Sequence, residues 1–182
     1  MNKFDWFSKL GNVVGVSFPF TSNFIQLKAE IDSYHLEQRV KVLEDPISSI
    51  APNVIELSKA LYSDFKQCND HFLDFSDNYK TYERTIHLLD GAGYINKAGI
   101  IIEFDNPIYI LYMAGWSESD QILSELVGYV DSCESGVCIP LANLSTSFDV
   151  PDKLIIAIFE IYAEKGLGFY DNTIGHESYI GK

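Results

Sequence analysis

Three cysteines and four histidines are the residues best equipped for metal or nucleophilic chemistry. Cys133-x4-Cys138 could be half of a zinc site and Cys68-x2-His71 the other half. Structural zinc takes four tetrahedral Cys or His ligands, often paired on turns, and Glu134-Ser135-Gly136 between the two cysteines is a turn sequence. The two pairs fall in different parts of the chain, with Cys133 at an expected helix end and Cys138 in an expected strand. Reduced, buried cysteines fit that placement better than metal ligands. His35, His71, His87 and His176 are scattered, and none has a Ser, Cys or carboxylate at a spacing that suggests activation. Gly91-Ala92-Gly93 follows a helical pattern, whereas a phosphate-binding glycine loop follows a strand and opens a helix. Gly115-Trp116-Ser117-Glu118-Ser119 lacks the second glycine of a nucleophile elbow. The expectation is a protein without catalytic residues, metal or cofactor.

Charge narrows the partners. Of the net −13, residues 1–46 contribute −1 (5 basic, 6 acidic), 47–115 contribute −4 (5 and 9) and 116–182 contribute −8 (3 and 11). Phosphate neutralisation by Lys and Arg supplies most non-specific nucleic-acid affinity, and the chain has only two arginines, Arg39 and Arg84. A partner protein with a basic surface is the better expectation. An odd, sparse cysteine count does not suggest a disulfide framework and points to a reducing cytoplasm. No run of 18 apolar residues offers a transmembrane helix. The first 20 residues, interrupted by Gly11, Gly15 and Pro19, make a poor signal peptide.

The elements that must position any site are clearest at the C-terminal end. A helix is expected over 120–133, a strand at Val137 to Ile139, a short helix over 140–144 and a turn at 145–148. A longer helix follows over 153–165, opened by Pro151 and Asp152 and stopped by Gly166, where glycine can turn left-handed. Gly168-Phe169-Tyr170 and Ser178-Tyr179-Ile180 then read as a hairpin. This order of helix, strand, short helix, turn, longer helix and hairpin resembles the winged helix-turn-helix family. The resemblance implies a helix-turn-helix whose second helix reads DNA or, as often in this family, a surface that binds protein. On the 153–165 helix the core stripe would be Leu154, Ile155, Ile158, Phe159 and Tyr162. The other face carries Lys153, Ile156, Ala157, Glu160 and Glu164, which would repel phosphate and offer base edges nothing. Ile156, Glu160 and Glu164 are therefore candidate partner-binding residues.

A second copy of the pattern precedes it. Helices are expected over 54–66, 68–77 and 79–92, then a hairpin of 99–104 with 108–113 around Asp105-Asn106-Pro107. At an offset of 73, Tyr82 falls on Ile155, Ile86 on Phe159, Leu89 on Tyr162, Gly93 on Gly166 and Tyr94 on Leu167. The outward face here differs, with Lys80, Arg84 and His87 at i, i+4 and i+7, diluted by Asp77 and Glu83. If this protein touches nucleic acid, that face does it; otherwise it is a solvated helix face.

Residues 1–25 are apolar, and in a helix Phe7, Leu10 and Val14 would share one face, with Trp6 beside it. They could pack on this chain's own core, dock into a partner, or lie in a membrane interface, although two lysines are thin for the last. Residues 26–45 read as a charged helix broken at Asp45-Pro46. An apolar, glycine-containing leader before a charged helix is similar in composition to the start of small bacterial accessory and defence-associated proteins. The chain is therefore expected to be α+β and mostly helical, with an N-terminal helical arm (1–46) and two winged-helix-like modules (47–115 and 116–182). The expected function is that of a non-enzymatic accessory or adaptor subunit binding proteins through Trp6, Phe7, Leu10 and Val14 and through the acidic second module. The alternative is a DNA-binding regulator that uses Lys80, Arg84 and His87 and dimerises through the arm.

Overall fold

The computed structural model describes residues 47–68, 72–76, 78–173 and 176–182. The arm over residues 1–46 lies outside them. Within them the chain is α+β, with six helices and two small antiparallel sheets.

Helix α1 (Val54–Cys68) buries Val54, Leu57, Ser58, Leu61, Tyr62 and Phe65 along one stripe, the spacing of an amphipathic helix. A strand, β1 (Phe72–Asp74), follows it. The helix expected over 68–77 is therefore corrected: the apolar run is too short to complete helical turns. The Asp74 carboxylate also accepts from the Ser76 N–H at 3.0 Å, an Asx turn that competes with helix. Helix α2 (Tyr79–Gly91) buries Thr85, Ile86 and Leu89. The Thr85 hydroxyl donates to the side-chain oxygen of Asn53, tying α2 to the start of α1.

Strands β2 (Asn96–Ala98) and β3 (Ile101–Glu103) form a hairpin whose two-residue loop begins at Gly99, φ 67°. A positive φ at the first loop position is what such a tight hairpin needs, and glycine takes it without strain. The expected pairing of 99–104 with 108–113 does not occur. Residues 108–113 lie in helix α3 (Pro107–Ser117). Asn106 caps that helix, its side-chain oxygen accepting from the N–H groups of Ile108 (3.0 Å) and Tyr109 (3.3 Å), and Pro107 occupies the first turn. Asn-Pro suits a helix start as well as a turn, and an all-apolar run has no period to separate buried strand from buried helix.

Helix α4 (Asp120–Asp131) is capped by the Ser119 hydroxyl, which accepts from the Ile122 N–H at 3.2 Å. Strand β4 (Cys138–Pro140), helix α5 (Leu141–Phe148), helix α6 (Asp152–Glu164) and strands β5 (Gly168–Asp171) and β6 (Ser178–Gly181) complete the chain. The short helix extends through Ser145 to Phe148, where a turn was expected, and the left-handed turn falls at Asp149, φ 50°. The two sheets have the strand orders β1-β3-β2 and β4-β6-β5, so each half places its third strand between its first and second.

One hydrophobic core runs through both halves, and α3 is its centre. Tyr109 to Gly115 are all buried because α1 covers one side of α3 and α6 the other. An unbroken apolar surface is what a helix covered on both sides requires. Inside this core the Ser58 and Tyr109 hydroxyls share a hydrogen bond of 3.1 Å. At its edge, Glu118 accepts from the Tyr62 hydroxyl (3.1 Å) and from Lys66 Nζ (3.0 Å), fastening α1 to the segment that opens the second half. Burial first, and then the Glu118 charge, push the Tyr62 pKa upward, so this hydroxyl remains a donor.

Removing one buried hydroxyl leaves the other without its partner, which typically costs about 1–3 kcal/mol. Ser58→Ala should therefore lower the unfolding free energy by about that much in urea titration. Adding Tyr109→Phe should recover part of the loss, because no orphan hydroxyl then remains; additive losses would contradict the pairing.

Candidate partner-binding surfaces and the seam cleft

Of the sequence-derived candidates, Trp6, Phe7, Leu10 and Val14 lie outside the described residues. So does the side chain of Cys68, and so does His71. Cys133 and Cys138 are free thiols, and Cys133 Sγ donates to the Val137 carbonyl at 3.3 Å. Cys133 is partly exposed and Cys138 exposed, which corrects the expectation of buried thiols. Among the described residues no three His, Cys, Asp or Glu side chains converge as a metal site, and no helix is long and apolar enough to cross a membrane.

Two helices hold the remaining candidates, and they are built alike. Both end in the same cap. Gly93 (φ 75°) donates to the Asp90 carbonyl at 2.9 Å and Tyr94 to the Leu89 carbonyl at 3.0 Å. Gly166 (φ 71°) donates to the Ala163 carbonyl at 2.9 Å and Leu167 to the Tyr162 carbonyl at 3.1 Å. These are paired bonds of the Schellman type, which satisfy the last carbonyls of each helix. At the offset of 73, the two helices thus close with the same pair of backbone bonds.

Their outward faces diverge. On α2, Lys80, Arg84 and His87 are all exposed, on the side opposite Ile86 and Leu89. Leu88, 40% exposed, lies beside them. On α6 the corresponding strip is recessed. Ile156 and Glu160 are half-buried and only Glu164 is exposed. Ala157, expected on the open face, is fully buried, and Ile161 is buried too, since α3 also packs against α6. The sequence shows one core stripe on this helix and the fold uses two.

At the end of that strip, by Glu164, lies a cleft of about 390 Å³, lined by Gly93 to Asn96, Asp105 to Ile108 and Glu164. The cap of α2, the start of α3 and the end of α6 therefore share one opening. Its polar groups are partly fixed. Asn96 Nδ2 donates to Asp105 Oδ2 at 3.0 Å, and Asn106 Nδ2 donates to the Gly93 carbonyl at 2.9 Å. Glu160 borders the same region. Its pKa is raised, chiefly by burial, with Lys153 opposing and the charges of Glu164 and Asp105 adding to the rise. Sequence reasoning found Glu160 and Glu164 but missed Tyr94, Asn96, Asp105 and Asn106. The cap signal of Asn106-Pro107 was the one clue that would have turned the chain into α3 and brought Asp105 to α6.

No family model, curated protein or solved structure matches the chain.

A carboxyl whose folded pKa is raised above its unfolded value binds its proton more tightly when folded, so stability falls as pH rises through the folded pKa. Glu160→Gln should accordingly raise Tm at neutral pH, and the gain should vanish as pH falls below the ordinary glutamate range. Thermal unfolding of both proteins between pH 3 and 8, about the range over which carboxylates titrate, checks this. A gain independent of pH would contradict it.

Proposed function

We propose that this protein is a non-enzymatic accessory or adaptor subunit that binds a partner protein with a basic surface. On this reading the two halves are winged-helix modules, and the likeness is supported by the third-strand-central sheet order repeated in each. One observation carries the reading. The two corresponding helices expose different chemistry: Lys80, Arg84 and His87 on α2, and Lys153, Ile156, Glu160 and Glu164 on α6, where two carboxylates outweigh one lysine and Glu164 lines a cleft. A surface of that sign repels phosphate and attracts Lys and Arg. The apolar arm with Trp6, Phe7, Leu10 and Val14 supplies a second contact on this reading, and the free thiols suit a cytoplasmic complex.

The second reading, a DNA-binding regulator, draws on one observation: Lys80, Arg84 and His87 stand exposed along a single stripe of α2. Against it weigh the net charge of −13 and the shortage of arginine.

Purifying the tagged full chain from its native host, with moderate- then high-salt washes, separates the two. The adaptor reading expects a stoichiometric protein partner, held about tenfold less well by Glu160→Lys with Glu164→Lys, a loss near 1.4 kcal/mol. Retention unaffected by the charge reversal would sink the role of this face. Nucleic acid released by salt, with a dependence that Arg84→Ala flattens by about one unit, would favour the regulator instead.

A further inference from the structure

Each sheet ends in two edge strands, and the edges are guarded unequally. Strands β1, β2 and β4 have three residues each, whereas β5 has four. An edge is a template for another strand unless it is short, charged or interrupted by proline. Strand β1 ends in Asp74 and β2 carries Lys97. Beside β4 the Gly181 N–H donates to the Val137 carbonyl at 3.3 Å, so Cys138 and Pro140 face the open side, and proline has no N–H to offer there. On β5 the one charge, Asp171, sits at the far end and accepts from the Thr173 N–H (3.0 Å) and hydroxyl (2.6 Å). The Lys182 N–H donates to the Leu167 carbonyl at 2.9 Å, and in that register Phe169 and Asp171 make the ladder bonds to β6. Gly168 and Tyr170 therefore turn their N–H and C=O groups to the other side, where no described strand lies. Phe169 beside them is 63% exposed, and Tyr170 is half-buried with its ring 5.9 Å from that of Phe159.

The sequence outside the described residues contains a pattern that fits this edge. From Val14 to Thr21 the residues alternate strictly, Val14, Val16, Phe18 and Phe20 against Gly15, Ser17, Pro19 and Thr21, with no charge among them. That is the period of a strand with one buried face, and Gly15 and Pro19 disfavour a helix through it. Pro19 confines such a strand to an edge and fixes its phase, because the position without an N–H must face away from the neighbour. The apolar set then directs its N–H groups at the sheet. We propose that residues 14–20 of this chain pair with β5 as a fourth, antiparallel strand of the second sheet, bonded to the N–H and C=O groups of Gly168 and Tyr170. The reach is sufficient. Ile47, where the arm joins the described chain, is fully buried in the first half, and the helix expected over 26–45 is about 30 Å long, roughly the diameter of a small domain. In antiparallel pairing the apolar set shares the face of Tyr170, while Gly15, Ser17 and Pro19 share that of Phe169 and leave room for its ring. This strand is independent of the adaptor reading. It moves Val14 from the partner contact to the chain's own sheet and leaves Trp6, Phe7 and Leu10 to the partner.

Amide hydrogen exchange on the isotope-labelled full chain, followed by nuclear magnetic resonance, tests this pairing. In the wild type the amides of Gly168 and Tyr170 should exchange at least about tenfold more slowly than open-edge amides, which exchange at almost no opening free energy. Val16→Pro removes an N–H that faces β5 and should release both amides. Ser17→Pro, which faces away as Pro19 does, should leave them slow. Met113 and Ile158 should stay slow in both variants, as the core is untouched. Should a variant disturb the core, nuclear Overhauser contacts between the backbone of 14–20 and that of Gly168 to Tyr170 in the wild type give the same reading without a substitution. Fast exchange at Gly168 and Tyr170 in the wild type, or the same effect from the two prolines, would overturn the proposal. So would protection that appears only with an added partner protein, or that falls on dilution together with a dimer mass, since a partner or a second copy would then hold the edge.

Discussion

The burial of α3 between α1 and α6 is the constraint on which the rest of this structure depends. Seven consecutive residues, Tyr109 to Gly115, lose their contact with water at once, and they do so against helices from opposite halves of the chain. Burying a large aliphatic or aromatic side chain contributes about 1.5–3 kcal/mol, so a helix apolar on every side cannot stand at an edge. Neither half can satisfy it alone. The two sheets share one strand order, and α3 lies in the single core that both halves contribute to. The Ser58–Tyr109 hydrogen bond and the Glu118 contacts to Tyr62 and Lys66 then fix how α1 approaches that helix.

That packing has a functional consequence. In each half the helix before the hairpin has an outward face, but only α2 keeps its own fully open. Helix α6 surrenders part of its face to α3, and what remains is a strip of half-buried Lys153, Ile156 and Glu160 that ends in exposed Glu164. The recess becomes a cleft because Asn106 starts α3 where the β2–β3 hairpin ends, bringing Asp105 up to α6. The same cap that sets the core thus sets the site. An exposed cationic stripe on α2 and a partly recessed, more acidic strip on α6 coexist on one chain because α3 packs against α6 and leaves the outer face of α2 open.

Much of this was legible in the residues. The stripe of Leu154, Ile155, Ile158, Phe159 and Tyr162 predicted α6, and Gly93 and Gly166 predicted matching helix ends, since glycine accepts the left-handed turn that both caps use. What was not legible has two physical sources. Where a helix is covered on both sides, as α3 is, hydrophobic period vanishes and helix cannot be told from strand. Where a run is short, as at Phe72 to Phe75, an Asx turn and a distant strand decide, and the register of β1 on β3 is not written locally. Asp105 and Asn96 were missed for the same reason. They are neighbours of Glu164 only through α3, so no reading of their own segment could place them there.

Native-state hydrogen exchange on the full chain tests the single-core account most directly. If α3 welds the halves, the slowest amides of α1, α3 and α6, for example those of Leu61, Met113 and Ile158, should exchange through one common opening whose free energy equals that of global unfolding. Denaturant should then lower all three together. Amides of α6 and β6 that remain protected after α1 has exchanged would show two independent units, and would contradict a fixed seam between them.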